Sequence, residues 1–442
     1  MTRRNRDSGS GLLRSALNSS RVPSSAGRTS QRDTPQLQYS QQASRDVSDD
    51  EFDDAASTAS SDAWVMNEDE HIEIGDEWES LLDTALDALG EKRAAAREKT
   101  LQSILRLMAH TYMGDGLEGR RVMLLEALRR SVRSTKSHVE QERALHGISL
   151  WFVNFGTQDE AESEFASVSE QLRVMVVDPA CDSQVRAQAL GALGVANFIA
   201  GADFRDAAEL AQFVHTRVLD PALESRDMSV ARQAFSTLGL LLTVVADGDS
   251  LLLENIFDAS FDSHMRGLRA DSVDVRVAAA QNFALVHSAL GADTDYAFDS
   301  QDELIGMLEM LQHESSKRLG KRDISVQRTA VREVLRTIED SSAPELKLNL
   351  HGRLVRFGDW TRIVRLQAFR RVVGGGLPVH FARNELLQDV FEVKFDTTGD
   401  DFARNRARMV VNPNSELAKM RTRDIRRRRD ARRDELLPDL DD

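Results

Sequence analysis

Six arginines recur along this chain at nearly even spacing, and the helical runs of small residues around them restrict the fold more than any other feature. Arg97, Arg143, Arg186, Arg232, Arg276 and Arg328 are separated by 46, 43, 46, 44 and 52 residues. The best-matched copies are Ser183-Gln184-Val185-Arg186-Ala187-Gln188-Ala189, Ser229-Val230-Ala231-Arg232-Gln233-Ala234 and Val273-Asp274-Val275-Arg276-Val277-Ala278-Ala279. Glu142-Arg143-Ala144-Leu145 and Ser325-Val326-Gln327-Arg328-Thr329-Ala330 fit the same frame more loosely, and Arg97 stands in a run of alanines.

Helical repeats of HEAT and armadillo type have a period of about 40–47 residues. In such arrays a single helical pair cannot bury its apolar face alone, so neighbouring pairs stack to make one continuous core. The expected fold is therefore all-α: an armadillo/HEAT-like right-handed helical solenoid over residues 76–343. Each Val-Arg pair should open an inner helix, with its guanidinium bonding carbonyls or acids of the adjacent repeat rather than a ligand. The stripe Leu81, Leu82, Ala85, Leu86 and Leu89, stopped by Gly90, marks the first core helix. The wide last interval accommodates a polar loop from Gly291 to Gln301. After Pro344, alternation of Leu346, Leu348 and Leu350 followed by His351-Gly352 and Arg353 to Phe357 predicts a short β-hairpin. A helix from Thr361 to Val373, a turn at Gly374-Gly375-Gly376 and an amphipathic helix from Phe381 to Phe391 complete an expected cap over residues 344–395.

The composition agrees with helices packed by small aliphatics: 41% hydrophobic, only 6% aromatic, and eight prolines. Cys181 is the only cysteine, so no intramolecular disulfide and no thiolate zinc site can form. The polar, arginine-bearing start is unlike a signal peptide, and the apolar run near Leu238 to Ala246 is shorter than the roughly 20 residues a membrane span requires. A cytoplasmic chain, also able to enter the nucleus, acting as a monomer with no membrane partner, is the expectation.

Net charge is −15, but it is sorted along the chain. Residues 1–45 carry eight arginines against two acids, and residues 46–83 carry 15 acids with no lysine or arginine. Residues 1–75 lack the apolar periodicity needed to offset ordering entropy and are read as disordered. Residues 403–433 hold twelve basic side chains, eleven of them arginine, against three acids. The opposite signs of these blocks make the acidic one an internal competitor for the basic one. Ser48, followed by Asp49-Asp50-Glu51, suits an acid-directed kinase, and phosphate there would add further negative charge.

No enzyme signature survives inspection, and no cofactor or metal is expected. None of the ten histidines sits in an HExxH pair, and His138 and His146 are two helical turns apart. The triple glycine is followed by Leu377-Pro378 rather than a Lys-Ser/Thr helix start, so it is a turn and not a phosphate loop. Cys181 reads as a small buried hydrophobe. Carboxylates crowded between 46 and 83 lack the rigid setting that acid/base work demands.

The strongest functional feature is the basic tail. After a linker at 396–413, Asn414 or Ser415 can cap a helix over 414–437 bearing Lys419, Arg421, Arg423, Arg426, Arg427, Arg428, Arg429, Arg432 and Arg433. Leu417, Met420 and Ile425 form no apolar stripe, so this helix has little face of its own to bury. Guanidinium forks pair bidentately with phosphate, and Phe402 is the only aromatic nearby, which disfavours reading by base stacking. Binding to RNA or the ribosome through phosphates fits these residues. A nuclear-targeting signal, an acidic protein partner and a merely solvated terminus remain open alternatives.

Lys419-Met420-Arg421-Thr422-Arg423, continuing through Arg427, Arg429-Asp430 and Arg432, resembles the basic tail of the interferon-related developmental regulator family. The run Gly376-Leu377-Pro378-Val379-His380-Phe381-Ala382-Arg383-Asn384-Glu385-Leu386-Leu387-Gln388-Asp389-Val390-Phe391 is similar to a second segment of that family, and the repeat pattern matches over about 78–395. Several expected lysines are arginines here, the ending after Arg433 is Asp-rich, and the connection from Lys394 to Val411 lacks the aromatic elements of the family. The resemblance implies an armadillo-like scaffold and a ribosome-binding, translation-silencing factor of hibernation type. Its body would occupy the tRNA sites and its basic C-terminal helix the mRNA path, against rRNA. The resemblance equally implies an alternative, a nuclear transcriptional co-regulator that binds proteins through its solenoid and uses the tail for localisation.

Overall fold

A computed structural model describes residues 78–114, 117, 119–134, 137–156, 161–291, 296–314, 319–350 and 353–394. Six helical pairs follow one another. They are α1 (Trp78–Ala88) with α2 (Ala94–His110), α3 (Arg121–Val132) with α4 (His138–Phe155), and α5 (Ala161–Val177) with α6 (Ser183–Ala200). Next, α7 (Phe204–Phe213) continues through a π-helical turn, Val214–Leu219, into α8 (Asp220–Ser225) and pairs with α9 (Met228–Gly248). Then α10 (Ser250–Leu268) pairs with α11 (Val273–Leu290) and α12 (Gln301–Gln312) with α13 (Lys321–Asp340). The second helix of each pair packs on the second helix of the next, giving an inner layer backed by the first helices. This is the expected all-α solenoid.

Local sequence explains where the elements begin. Aspartate or serine side chains cap successive helices: Ser137 accepts from Glu140 N, Asp182 from Gln184 N, Asp227 from Val230 N and Asp249 from Leu252 N. The Val-Arg pairs fall in the opening turns of α6, α9 and α11, as the repeat requires. Small residues then let inner helices approach closely. A Cβ added at Gly194 would lie 2.6 Å from Thr237 Cγ2 on the next inner helix, so a methyl group there would have to push α6 and α9 apart.

A two-stranded antiparallel hairpin follows, β1 (Leu346–Leu350) with β2 (Arg353–Phe357), in the register Leu346↔Phe357, Leu348↔Val355. One face turns Leu350, Val355 and Phe357 into the core, and the other leaves Lys347, Asn349, Leu354 and Arg356 outside. After it come α14 (Trp360–Val373), a 3-10 turn at Gly374–Gly376, α15 (Leu377–Arg383) and α16 (Glu385–Val390).

These last elements do more than cover the sixth pair. They run back along the inner layer as a strap, from α13 towards α2, over the C-terminal halves of the inner helices. The single helix read from Phe381 to Phe391 is in fact two. Asn384 adopts an extended backbone at φ −93° and ψ 107°, and its side chain caps the new start at Leu386 N. Cys181 is half-buried rather than buried, with its thiol 3.7 Å from Asp178 Oδ2.

Candidate functional site

The nine basic residues nominated from Lys419 to Arg433, the linker before them, and Ser48 lie outside the described residues. What the structure gives is the surface from which they extend. The described chain ends at Lys394, and Glu392 just before it pairs with Arg362 of the strap helix α14. The acidic block is described from Trp78 onwards, where Glu79 and Asp83 of α1 reach Arg120 at 3.4 and 3.1 Å.

The repeated arginines form a ladder between repeats. Arg97 grips Glu140 of the next inner helix with a two-pronged contact, Nε to Oε1 and Nη2 to Oε2, both 2.7 Å. The Glu140 side chain is only 1% exposed, and its hydrogen bond raises the pKa of the guanidinium. Arg143 donates to Glu98 O at 2.7 Å in the preceding repeat. Arg186 donates to Val176 O at 3.1 Å and lies 3.6 Å from Asp227, the residue that caps the next inner helix. Arg232 lies 3.9 Å from Asp274, and Arg276 meets Glu314 at 2.5 Å, while Arg328 donates to Gln312 O at 3.1 Å. From Arg97 to Arg276 the ladder therefore ties each repeat to a neighbour, as the sequence reading expects, whereas Arg328 is exposed and its bond to Gln312 stays within its own helical pair.

The strap is fixed to the inner layer by a series of polar latches set among apolar contacts. Trp360 Nε1 donates to Thr337 Oγ1 at 2.8 Å on α13. Arg365 bonds Thr243 Oγ1 and O, each at 3.1 Å, and pairs with Asp247 on α9, stacking its guanidinium over Phe198 of α6. Phe369 meets Phe198 edge-on at 5.6 Å, and His146 of α4 faces Val372 O at 2.7 Å. At the far end Gly376 is pressed so close to α2 that a Cβ would lie 1.7 Å from Ala109 O. His380 Nε2 faces Met108 O at 3.1 Å, and Asn384 donates to Val153 O at 2.8 Å. Burial pushes the His380 pKa down to about 4, so it sits in the fold as neutral imidazole.

Arg371 is exposed on α14, and its Nε donates to Gln367 O at 3.1 Å. The surrounding protein and the neighbouring Arg232 charge lower its pKa to about 10. Periodicity gave no sign that His380 and Asn384, one helical turn apart, would both be fully buried latches; the segment was legible only as a family-like motif.

One other polar cluster was missed. On the outer layer, a cavity of about 590 Å³ is lined by His215, Asp220, Ser263, Arg266, Arg269 and Glu303 among others. His215 sits in the π-helical turn, 3.2 Å from Ser263 Oγ and 3.4 Å from Asp220, both through Nε2. Ser263 donates to Asp220 at 2.6 Å, and Arg266 also pairs with that carboxylate. A nucleophile–base–orienter relay needs the acid on the second ring nitrogen, so these three do not make one. The cluster ties α8 to α10. Among the described residues no group of histidine, cysteine and carboxylates is placed to hold a metal. One described helix, α9, is long and apolar enough to cross a bilayer, and it is the central inner helix, packed between α6 and α11.

Comparison with known proteins gives a coherent result. The family model described as interferon-related developmental regulator matches residues 50–339, which ends within one residue of α13. Interferon-related developmental regulator 1 of Mus musculus is 25% identical over 323 residues, covering 71% of this chain and 70% of the relative. Interferon-related developmental regulator 2 of the same organism is 26% identical over 319 residues, covering 69% and 71%. An uncharacterised protein of Schizosaccharomyces pombe is 28% identical over 183 residues, covering 37% and 40%.

Proposed function

The chain belongs to the interferon-related developmental regulator family, and from that membership we propose that it is a ribosome-binding, translation-silencing factor. Its helical body sits in the tRNA sites, and the segment from Lys419 to Arg433 lies in the mRNA path against rRNA phosphates. The observation that carries this reading is the makeup of residues 403–433: eleven arginines, one lysine and no aromatic. Such a segment can follow a phosphate-walled channel but has neither an apolar face to fold against this protein nor rings to read bases.

The strap adds support of a different kind. A scaffold that holds peptides along its inner helices needs those helices uncovered, and here α14 to α16 pack over their C-terminal halves. The co-regulator reading would have to use another surface.

Sedimentation through sucrose gradients tests the proposal. The full chain should travel with monosomes at low salt, and a chain ending at residue 413 should stay at the top of the gradient. Equal co-sedimentation of both, or absence of the full chain from monosomes, overturns it.

A further inference from the structure

The outward face of α3 combines exposed guanidiniums with exposed apolar side chains. Arg130 and Arg133 are exposed, and among the described residues neither has an acidic partner, while Arg120 stands at the start of the helix. Between these charges lie Met123 and Val122, which are 63% and 39% exposed. The one acid of this face, Glu126, is already held by Arg129 at 2.7 Å. Guanidiniums interleaved with bare apolar side chains suit a polypeptide that is both acidic and apolar. A phosphodiester backbone would satisfy the charges but gain nothing from Met123.

The same chain supplies such a polypeptide, and it starts beside this face. Residues 46–77 contain thirteen acids, no lysine or arginine, and the apolar residues Phe52, Trp64, Val65, Met66, Ile72 and Ile74. The described structure takes up immediately afterwards at Trp78, and the first acids of α1, Glu79 and Asp83, already reach Arg120. From Arg121 to Arg133 is about 18 Å along a helix, and twelve extended residues leading back from Glu77 span up to about 40 Å. Trp64 to Ile74 can therefore reach the whole face.

We propose that the acidic, apolar-dotted segment 46–77 docks on the outward face of α3, continuing the contact that Glu79 and Asp83 begin at Arg120. The docked segment clasps the first two repeats, and its acids are then held by the body rather than by the basic tail. The proposal rests on α3 and not on ribosome binding, and it can fail or succeed whatever the gradients show.

Methionine oxidation reads the face directly, because sulfoxide forms according to exposure of the sulfur. In the full chain treated with dilute hydrogen peroxide, Met123 should oxidise at least about threefold more slowly than in a chain lacking residues 46–77. Met310, 61% exposed on α12, is the internal control and should not change. The full-length double variant Arg130→Glu, Arg133→Glu should oxidise at Met123 as fast as the deleted chain, so the test does not depend on the deletion folding. Equal Met123 rates in the full and deleted chains, with Met310 also equal, overturn the proposal. So does a double variant that stays as protected as the full chain, which would be the result for an apolar contact with no charge recognition.

Discussion

Acid should loosen this protein through its buried imidazoles, and the size of the effect follows from the structure. His264 and His380 are fully buried, and burial holds the pKa of each near 4, against 6.5 for the free side chain. Both are neutral and hydrogen-bonded in the fold: His264 Nδ1 faces Ser260 O at 2.8 Å and its Nε2 meets Asn282 Nδ2 at 3.2 Å. Between pH 6.5 and 4 the unfolded chain binds protons that the folded chain does not. Their contribution is thus complete above pH 6.5, falls as pH drops towards 4, and levels off below. Each imidazole should cost about 1.4 kcal/mol per pH unit within that window, and the two together about 3. His146 and His287, also pushed down by burial, act in the same direction, whereas burial raises the Glu142 and Glu333 carboxyls and opposes it.

A difference measurement isolates one site. His380→Gln keeps an amide N–H for Met108 O but carries no titratable group. Urea unfolding of both proteins at pH 7.5, 6.0 and 5.0 should show the variant less stable at pH 7.5 by about 1–3 kcal/mol. Its loss of stability below pH 6 should be shallower by about 1.4 kcal/mol per pH unit, the carboxylates being common to both. Parallel stability–pH curves for the two proteins would refute the assignment of His380 as a buried neutral latch.

Gly376→Ala places a methyl group on the Ala109 carbonyl and should detach the far end of the strap. Hydrogen exchange over 377–391 should accelerate and the melting temperature fall, with a loss of about 2 kcal/mol or more. Glu140→Ala leaves Arg97 facing a buried site without its acid; a loss of about 3–5 kcal/mol by urea unfolding is expected, reduced if Arg97 swings out to water. Asp227→Ala removes a helix cap together with the partner of Ser183 and Arg186, and should cost about 1–2 kcal/mol or more by the same measurement. For the tail, replacing Arg426 to Arg429 by alanine should lower the slope of log affinity against log salt for RNA by about 3, whereas replacement by lysine should leave the slope nearly intact.

The repeat was open to reading because each unit solves the same packing problem. A valine and small residues must face the neighbouring helix, and an arginine must find an acid or carbonyl one repeat away. Regular spacing therefore records regular stacking, from Arg97 to Arg276. The hairpin was legible for a similarly local reason, its alternating leucines facing one side. The strap was not. Whether residues 360–391 cap the last repeat or return along all of them depends on where Phe198, Thr243, His146 and Ala109 stand, and those lie 122 to 267 residues before the strap residues they meet.

Sequence by itself determined the class of fold and the charge blocks, because periodicity and composition are properties of neighbours along the chain. Tertiary structure alone decided that the inner layer is covered by the chain's own last helices. It also decided that His380 and Asn384 are latches rather than surface polar residues, and that Arg130, Met123 and Arg133 share an open face. The physical reason is that burial and the accessibility of a charge depend on which segments come together in space, a relation that no single stretch of sequence contains.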